Sequence, residues 1–569
     1  MKRLKFLIGF CLGVLIVFAP FNQFQASPLE PLKTIAVQLD GRKKPLDTVA
    51  KETTAKIHGS TYYHPTQDET WDYLQTYLSL WFNQRNWSET PFILFSYRPL
   101  KAQLGLVPEQ KYFAFEDLVN NDRLAIIVQQ AHQRMLNGEA LTRDQREALT
   151  IQDRLDLTAR TVGGDTSLPL VPHPETPRGV WTGLSEAQTR YPPERISPLI
   201  AQFKLLRQVY LSKDDPASTE DRLAQVGRLA SQLRQDLAAL SPQVYPADSD
   251  LRREVHFNRF HPFAKACCLY AIAFLGMLLA IWWEPLELYW SVVGIFVAGV
   301  LFQGYGFWLR MQIAGRPPVT NMYESVVWVG FGIVVLALTF ELTYRVRYYL
   351  LAAAPLSVLC LILADSLPAV LDPGIAPLVP VLRDNFWLSI HVPTIALSYA
   401  SFALAMGLGH VTLGNYLFTP QAKPRIQTLS QLNYRVLQVG VLLLITGIIL
   451  GGVWAYFSWG RFWGWDPKET WTLIALLCYL APLYSRLMGW IGDFGVSIAS
   501  VVSFNAVLMA WYGVNFVLGV GLHTFGFSTG GSVLFVGSIV GLDLLFVLIA
   551  LITYQGRSNA QSESMEETV

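Results

Sequence analysis

The stretch from Trp454 to Trp471 concentrates the residues best suited to binding a flat ligand. It reads WAYFSWGRFWGWDPKETW and holds five of the chain's 17 tryptophans. Glycines between the indoles leave flat apolar slots, and Arg461 and Lys468 place cations at the rim, which suits a planar macrocycle carrying carboxylates. Tryptophans are also common at the headgroup level of a membrane. The stretch itself therefore leaves two interpretations open, a flat aromatic ligand and an aromatic belt.

The same stretch contains a helix start. Asp466 as N-cap, Pro467 at the first helical position and Glu469 at the third match a capping box. We expect this box to begin the span from Trp471 to Trp490 and to orient the preceding loop. Asp466 and Glu469 are then structural residues first, which is compatible with a ligand-binding loop.

Two histidines are predicted to lie on the same side as the tryptophan loop. Only three of the nine histidines, His391, His410 and His523, fall in the apolar half of the chain. A lone histidine is more often a satisfied polar residue than a ligand. Two imidazoles flanking a ring-walled slot, however, are what a six-coordinate haem iron needs above and below its plane. His391 and His523 are therefore candidate haem ligands.

The composition of the chain predicts a membrane protein. Of 569 residues, 52% are hydrophobic and 15% are charged, and the mean hydropathy is +0.30. Nine apolar runs have the length of a membrane span. They cover residues 266–283, 288–308, 325–343, 348–364, 386–409, 433–458, 471–490, 495–519 and 531–553. The predicted fold is an all-α polytopic membrane protein with about nine spans.

The predicted organisation has four parts. Residues 1–26 combine Lys2, Arg3 and Lys5 with an apolar run, typical of a signal peptide or an N-terminal anchor. Residues 27–260 form an extracytoplasmic soluble domain with helical stretches such as Asp221 to Leu240. Residues 261–556 form the membrane domain, and residues 557–569 form a cytoplasmic tail. Within the soluble domain, the phrase from Leu39 to Thr48 favours a surface turn over a docking loop.

Charge and cysteine usage exclude two classes of function. A formal net charge of +1 provides no broad basic surface, so we expect no nucleic-acid partner. The five cysteines lie in apolar runs, and no two have the CxxC spacing, so neither a disulfide scaffold nor a CxxC redox site is expected.

The motifs resemble those of a known family. The residues from Trp459 to Trp471 resemble the "WWD" signature of haem-handling membrane proteins. The resemblance extends over roughly residues 310 to 550, through the phrases Asn321-Met-Tyr-Glu-Ser325, His391-Val-Pro393 with Tyr399 and Phe402, and Gly521-Leu-His523-Thr-Phe-Gly526. Among the branches, the sequence is most similar to the CcsA/ResC type of cytochrome c biogenesis proteins.

The resemblance implies a subunit of the System II holocytochrome c synthase, a haem lyase. Such a subunit binds haem b at the outer face of the inner (cytoplasmic) membrane, where the vinyl groups are joined to the CxxCH thiols of an exported apocytochrome c. The implied partner is a ResB-type membrane subunit. The implied axial ligands are His391 and His523, and the ring-holding loop residues are Trp459, Trp463, Trp465 and Asp466. Because propionates need cationic partners, Arg461 is the first candidate for that role and Arg316 the second.

One position departs from the family pattern. Tyr484 stands where family members commonly carry a further histidine that binds haem within the membrane, which puts an intramembrane site in doubt. His410 could replace that histidine, although a structural role near the inner interface is favoured. A haem transporter or chaperone without ligation activity, and a structural assembly factor with an aromatic belt, are the alternative functions.

Overall fold

The computed structural model describes residues 28–66, 68–139, 141–164, 168–212, 219–283, 286–366, 371–378, 384–518 and 533–566. Within these residues the chain forms two compact units that divide between Phe260 and His261, except that Gly374–Pro377 belong to the first unit. The predicted signal peptide or anchor, residues 1–26, lies outside the described residues.

The first unit is largely helical, as predicted. Its helices are α1 (Glu30–Lys33), α2 (Leu46–His58), α3 (Tyr73–Trp81), α4 (Arg98–Gln103), α5 (Phe115–Val119), α6 (Asp122–Leu136), α7 (Arg143–Thr161), α8 (Pro193–Leu211), α9 (Thr219–Leu240) and α10 (Asp248–Phe260). Short strands form three antiparallel pairs, β1 (Ala36–Leu39) with β2 (Arg42–Pro45), β3 (Tyr62–Tyr63) with β4 (Trp71–Asp72), and β5 (Ile93–Leu94) with β6 (Tyr112–Phe113).

The predicted surface turn is the β1–β2 hairpin. Leu39 pairs with Arg42, so Asp40 and Gly41 form a two-residue turn, and both have positive φ, 52° and 73°. Asp and Gly tolerate this left-handed conformation, which matches the twist of the two strands. Both residues are exposed.

A buried polar network ties this hairpin to α10. Arg42 donates from both terminal nitrogens to the carboxylate of Glu254, at 2.7 Å each, and Thr48 donates to the same carboxylate at 2.8 Å. Asn258, one turn further along α10, donates to Asp47 at 3.0 Å. Burial raises the pKa of the Asp47 carboxyl. The carboxylates of Glu254 and Asp47 thus find their partners on the hairpin, α2 and α10, so the network is a structural element of the first unit.

The second unit consists mainly of long apolar helices. They are α11 (Pro262–Trp283), α12 (Leu286–Ala314), α13 (Met322–Tyr344), α14 (Tyr348–Ser366), α15 (Asn385–Phe418), α16 (Lys423–Trp459), α17 (Pro467–Leu487), α18 (Asp493–Val502), α19 (Phe504–Leu508) with a π-helix (Met509–Leu518), and α20 (Val533–Glu566). Among the described residues, nine helical segments are long and apolar enough to cross a bilayer. The predicted polytopic all-α class is thereby confirmed.

The Asn321-Met-Tyr-Glu-Ser325 phrase starts α13 and fixes a buried charge pair. Asn321 is the N-cap, and its side chain accepts from the backbone N–H of Glu324 at 2.8 Å. Glu324 in turn accepts from Arg310 of α12 at 2.8 Å, and both side chains are almost fully buried. A charge in a membrane span needs such a partner. Arg310 is therefore accounted for by Glu324 and not by a ligand.

A stripe of glycines lets α15 and α16 pack closely. A Cβ at Gly440 would lie 2.6 Å from the Phe402 ring, and one at Gly447 would lie 2.5 Å from Ile395. Small residues at a helix interface allow backbones to approach, which is a usual way to pack helices in membranes. The stripe brings the first turns of α15, which carry His391, against the last turns of α16.

We expect Arg42→Met to destabilise the first unit by about 3–5 kcal/mol, because it leaves the Glu254 carboxylate buried without its cation. Limited proteolysis of the whole protein across a temperature series measures the effect. Arg253→Met is the matched control, since the side chains of Arg253 and Asp250 are 28% and 59% exposed and pairs near the surface contribute about 0–1 kcal/mol. Equal sensitivity of the two variants would contradict the structural role of the network.

Candidate functional site

His391 lies in a seat formed by two glycines and a tryptophan of α16. Its Nδ1 lies 2.9 Å from the carbonyl oxygen of Gly447. A Cβ at Gly451, one turn further along α16, would lie 2.5 Å from Cε1 of the imidazole. The ring of Trp454 meets the imidazole edge to face, with centroids 5.7 Å apart and planes at 68°. Only glycine at position 451 leaves room for this arrangement.

The hydrogen bond to Gly447 sets the tautomer of His391. A carbonyl oxygen only accepts, so Nδ1 must carry the proton, and in the neutral ring the lone pair is then on Nε2. Metal-binding histidines commonly donate one ring N–H to a carbonyl or carboxylate, which fixes the ring and raises the basicity of the other nitrogen. The seat therefore prepares Nε2 of His391 to act as a ligand.

The tryptophan loop lies directly beside this seat. Helix α16 ends at Trp459, and Gly460 closes it in a left-handed conformation with φ 71°. The chain then folds back, so that a Cβ at Gly452 would lie 3.1 Å from the carbonyl oxygen of Phe462. Since Gly451 contacts His391 and the next residue contacts the loop, the structure brings His391 and the loop together.

The predicted capping box is confirmed, and it also fixes the loop. Asp466 is the N-cap of α17, which begins at Pro467, earlier than the predicted span. Glu469 accepts from the backbone N–H of both Gly464, at 2.8 Å, and Asp466, at 3.3 Å. These two N–H groups flank Trp465, a non-glycine residue held at φ +56°. Such conformations cost of order 1–3 kcal/mol and persist only where the surroundings impose them. Glu469 provides that constraint.

The loop rings differ in exposure. Trp463 and Trp465 meet edge to face, with centroids 5.8 Å apart, and Trp465 is 70% exposed. The indole nitrogen of Trp463 is buried and finds no hydrogen-bond partner in the described part of the chain. Phe462 stacks on Tyr456 at 4.6 Å, so it covers the last turns of α16. The loop thus presents one sheltered indole and one exposed indole on a fixed backbone.

The predicted cations differ in their surroundings. The guanidinium of Arg461 occupies the space in front of Gly464, where a Cβ would overlap it, so this cation lies within the loop. Lys468 is half-buried in the first turn of α17, and Arg316 is 9% exposed in the segment before α13. Arg461 and Lys468 therefore belong to the loop and to the helix start that follows it.

His410 and Tyr484 lie away from the His391 seat. Nδ1 of His410 contacts the carbonyl of Met406 at 2.8 Å, and Nε2 contacts the carboxylate of Asp543 on α20 at 2.5 Å. Both ring nitrogens are engaged, which supports the structural role favoured for His410. Tyr484 is 55% exposed on α17, and its ring meets Trp490.

One predicted ligand lies outside the described residues, and two glycines of the His391 seat were not predicted. His523, the second predicted ligand, lies outside the described residues. Conversely, the sequence interpretation missed Gly447 and Gly451, which hold His391. The spacing of Gly440, Gly447 and Gly451 along one face of α16 was visible in the sequence. Glycine has no functional side chain, however, and the spacing does not show which helix packs against that face.

We expect Gly451→Ala to displace the His391 ring and to destabilise the protein by about 1–3 kcal/mol, the usual cost of overpacking. Thermal unfolding of the detergent-purified protein measures it. Gly414→Ala on α15 is the control, because a Cβ there meets nothing within 4 Å. The assignment of the seat is wrong if Gly451→Ala unfolds at the same temperature as the control.

Comparison with known proteins places this architecture in a family. The cytochrome c assembly protein family matches residues 319–523, which include α13, the His391 seat and the tryptophan loop. Protein NrfI of Wolinella succinogenes is 30% identical over 500 residues, which are 85% of this chain and 53% of NrfI, so the chain spans about half the length of that relative.

Shorter relatives are matched over most of their length. The cytochrome c biogenesis protein CcsA of Prochlorococcus marinus is 33% identical over 298 residues, 45% of this chain and 92% of CcsA. The CcsA of a Synechococcus species is 33% identical over 298 residues, 46% of this chain and 96% of CcsA. The chain therefore belongs to the CcsA family of cytochrome c biogenesis proteins.

Proposed function

We propose that this chain binds haem b as a substrate and presents it for thioether attachment to the CxxCH motif of exported apocytochromes c. In this proposal it acts as a subunit of a System II holocytochrome c synthase, together with a ResB-type membrane subunit. It resides in the inner (cytoplasmic) membrane, with the first unit and the tryptophan loop on the outer side. The similarity to NrfI and CcsA supports a role in cytochrome c biogenesis, and the geometry of the His391 seat supports haem as the ligand.

The observation that carries the proposal is the His391 seat. An imidazole whose Nδ1 is bonded to the Gly447 carbonyl carries its lone pair on Nε2, and its ring meets Trp454, which begins the tryptophan-rich stretch. A histidine that served only as a polar packing residue would not require a glycine opposite its ring to leave space for it. His391 is the proposed ligand on one face of the haem, and His523 the proposed ligand on the other.

The tryptophan loop supports a ring-binding role. Trp459, Trp463 and Trp465 supply flat apolar surfaces, and Asp466 with Glu469 holds their backbone. A membrane belt needs indoles at the right depth, but it does not need a strained tryptophan fixed between two N–H groups that share one carboxylate. The fixed backbone favours contact with a ligand of defined shape.

Arg461 is the proposed partner of a haem propionate. Its guanidinium lies against Gly464, in the loop that also carries Trp463 and Trp465. A guanidinium binds a carboxylate through two parallel hydrogen bonds. Haem supplies the vinyl groups to which the cysteine thiols add, and the residues of this chain hold and orient it.

A haem transporter or chaperone would use the same ligands without forming thioether bonds. The two functions are separated by incubating the purified complex with a CxxCH peptide and measuring the peptide mass. Covalent haem on the peptide indicates a synthase. Haem transfer without a covalent bond indicates a chaperone.

We expect His391→Ala to lower retained haem by roughly tenfold or more, since even changes to the residues that support a metal ligand cost 10–100-fold. The reduced purified protein should lose its low-spin absorption spectrum, and added imidazole should restore part of it, because the lost ligand is a small neutral base. An unchanged spectrum in the double variant His391→Ala/His523→Ala would remove both residues from the site.

We expect Trp463→Ala and Trp465→Ala each to lower haem retention about two- to tenfold, which corresponds to an aromatic contact of about 0.5–1.5 kcal/mol. The amount of protein in the membrane should stay the same. Trp490→Ala is the control, because Trp490 is 70% exposed at the other end of α17. If the loop variants disappear from the membrane, or if Trp490→Ala has the same effect on haem, the loop is an aromatic belt.

A further inference from the structure

Two tryptophans with buried indole N–H groups pack against one small cluster that includes a residue of α15. Trp328 of α13 and Trp454 of α16 both pack against a small cluster whose buried members are Val319 and Leu388. They approach this cluster from different helices. Leu388 lies on α15, one turn before His391, and Trp454 contacts the His391 ring itself.

Neither indole nitrogen has an acceptor in the part of the chain that the structure describes. Among the described residues, the Nε1 atoms of Trp328 and Trp454 are shielded from solvent and make no hydrogen bond. A buried donor without a partner costs about 1–3 kcal/mol, and most buried donors in native proteins are satisfied. Two such donors in one cluster, next to the proposed ligand, indicate an acceptor that the described residues do not supply.

The surroundings favour an anionic acceptor. Val319 belongs to the segment that joins α12 to α13, and the same segment carries Arg316, which is 9% exposed. Indole N–H groups only donate, and hydrogen bonds to ionised acceptors are about twice as strong as those to neutral ones. Two donors, with an arginine three residues from Val319 along the chain, match a carboxylate better than a carbonyl or a hydroxyl.

We propose that the indole N–H groups of Trp328 and Trp454 bind a carboxylate of the haem substrate. This inference rests on the proposed function and deepens it, since it assigns a second propionate position apart from Arg461. A carboxylate reaches the two nitrogens when a covering side chain moves. Leu378, which packs on the same cluster, lies in a non-helical segment, so no helix holds its side chain in place.

Comparison of haem with haem dimethyl ester tests the proposal, because the ester keeps the ring and the iron but lacks the anionic oxygens. Both ligands are titrated into detergent-purified protein, and dissociation constants are obtained from the absorption spectrum. The wild type should prefer haem over the ester. Trp328→Phe and Trp454→Phe should each reduce this preference by roughly tenfold, the factor that corresponds to one hydrogen bond of 1.4 kcal/mol.

Trp290→Phe is the matched control. Its Nε1 is also buried without a partner among the described residues, but it lies in the first turn of α12, about 36 Å along that helix from the end that leads to Val319. All three variants should unfold at the same temperature as the wild type or at a higher one, since each removes an unsatisfied donor. Only the Trp328 and Trp454 variants should change the preference for haem.

Two results would overturn the proposal. In the first, Trp328→Phe and Trp454→Phe keep the full preference for haem over its ester. In the second, they lose tightly bound phospholipid, measured as phosphorus in the purified protein, while the preference is unchanged, which would assign the donors to a lipid phosphate. If instead the wild type binds neither ligand and His391→Ala has no effect, the proposed function itself fails.

Discussion

The close approach of α15 and α16 is the constraint on which the site depends. His391 reaches the carbonyl of Gly447 only because the glycine stripe removes the side chains that would separate the two helices. That one contact sets the position of the ring, its tautomer and the nitrogen that carries the lone pair. Any side chain at position 451 must either push the imidazole away or separate the helices.

The carboxylate of Glu469 provides the second constraint, and it acts on the loop. An N-cap box normally satisfies the first N–H groups of its own helix. Here Glu469 also holds Gly464, two residues before the cap, so the start of α17 and the geometry of the tryptophan loop form one unit. Because Gly452 of α16 contacts Phe462, the loop is fixed at both ends. The indoles are thus presented on a backbone that is rigid for a loop.

Much of the fold was predictable because its signals are local. Apolar runs of span length gave the nine spans, the Asp-Pro-x-Glu spacing gave the start of α17, and Asp40-Gly41 gave the turn. The seat of His391 was not predictable, because it depends on which face of α16 meets α15. The pairing of His410 with Asp543, 133 residues away, and of Arg310 with Glu324 also depends on tertiary contacts that no local pattern reveals.

The polar groups of the membrane unit are of two kinds, charged groups that pair with one another and buried donors that have no partner among the described residues. Arg310 pairs with Glu324, and His410 pairs with Asp543, so these charges stabilise helix contacts. In contrast, four buried indole N–H groups in the described part of this unit lack a partner, and three of them, at Trp328, Trp454 and Trp463, lie near His391 or in the tryptophan loop. Proteins tend to tolerate unfavourable local energies where activity requires them. The concentration of unsatisfied donors in the tryptophan loop and at the cluster that contains Leu388 therefore supports a ligand site on grounds that are independent of the family.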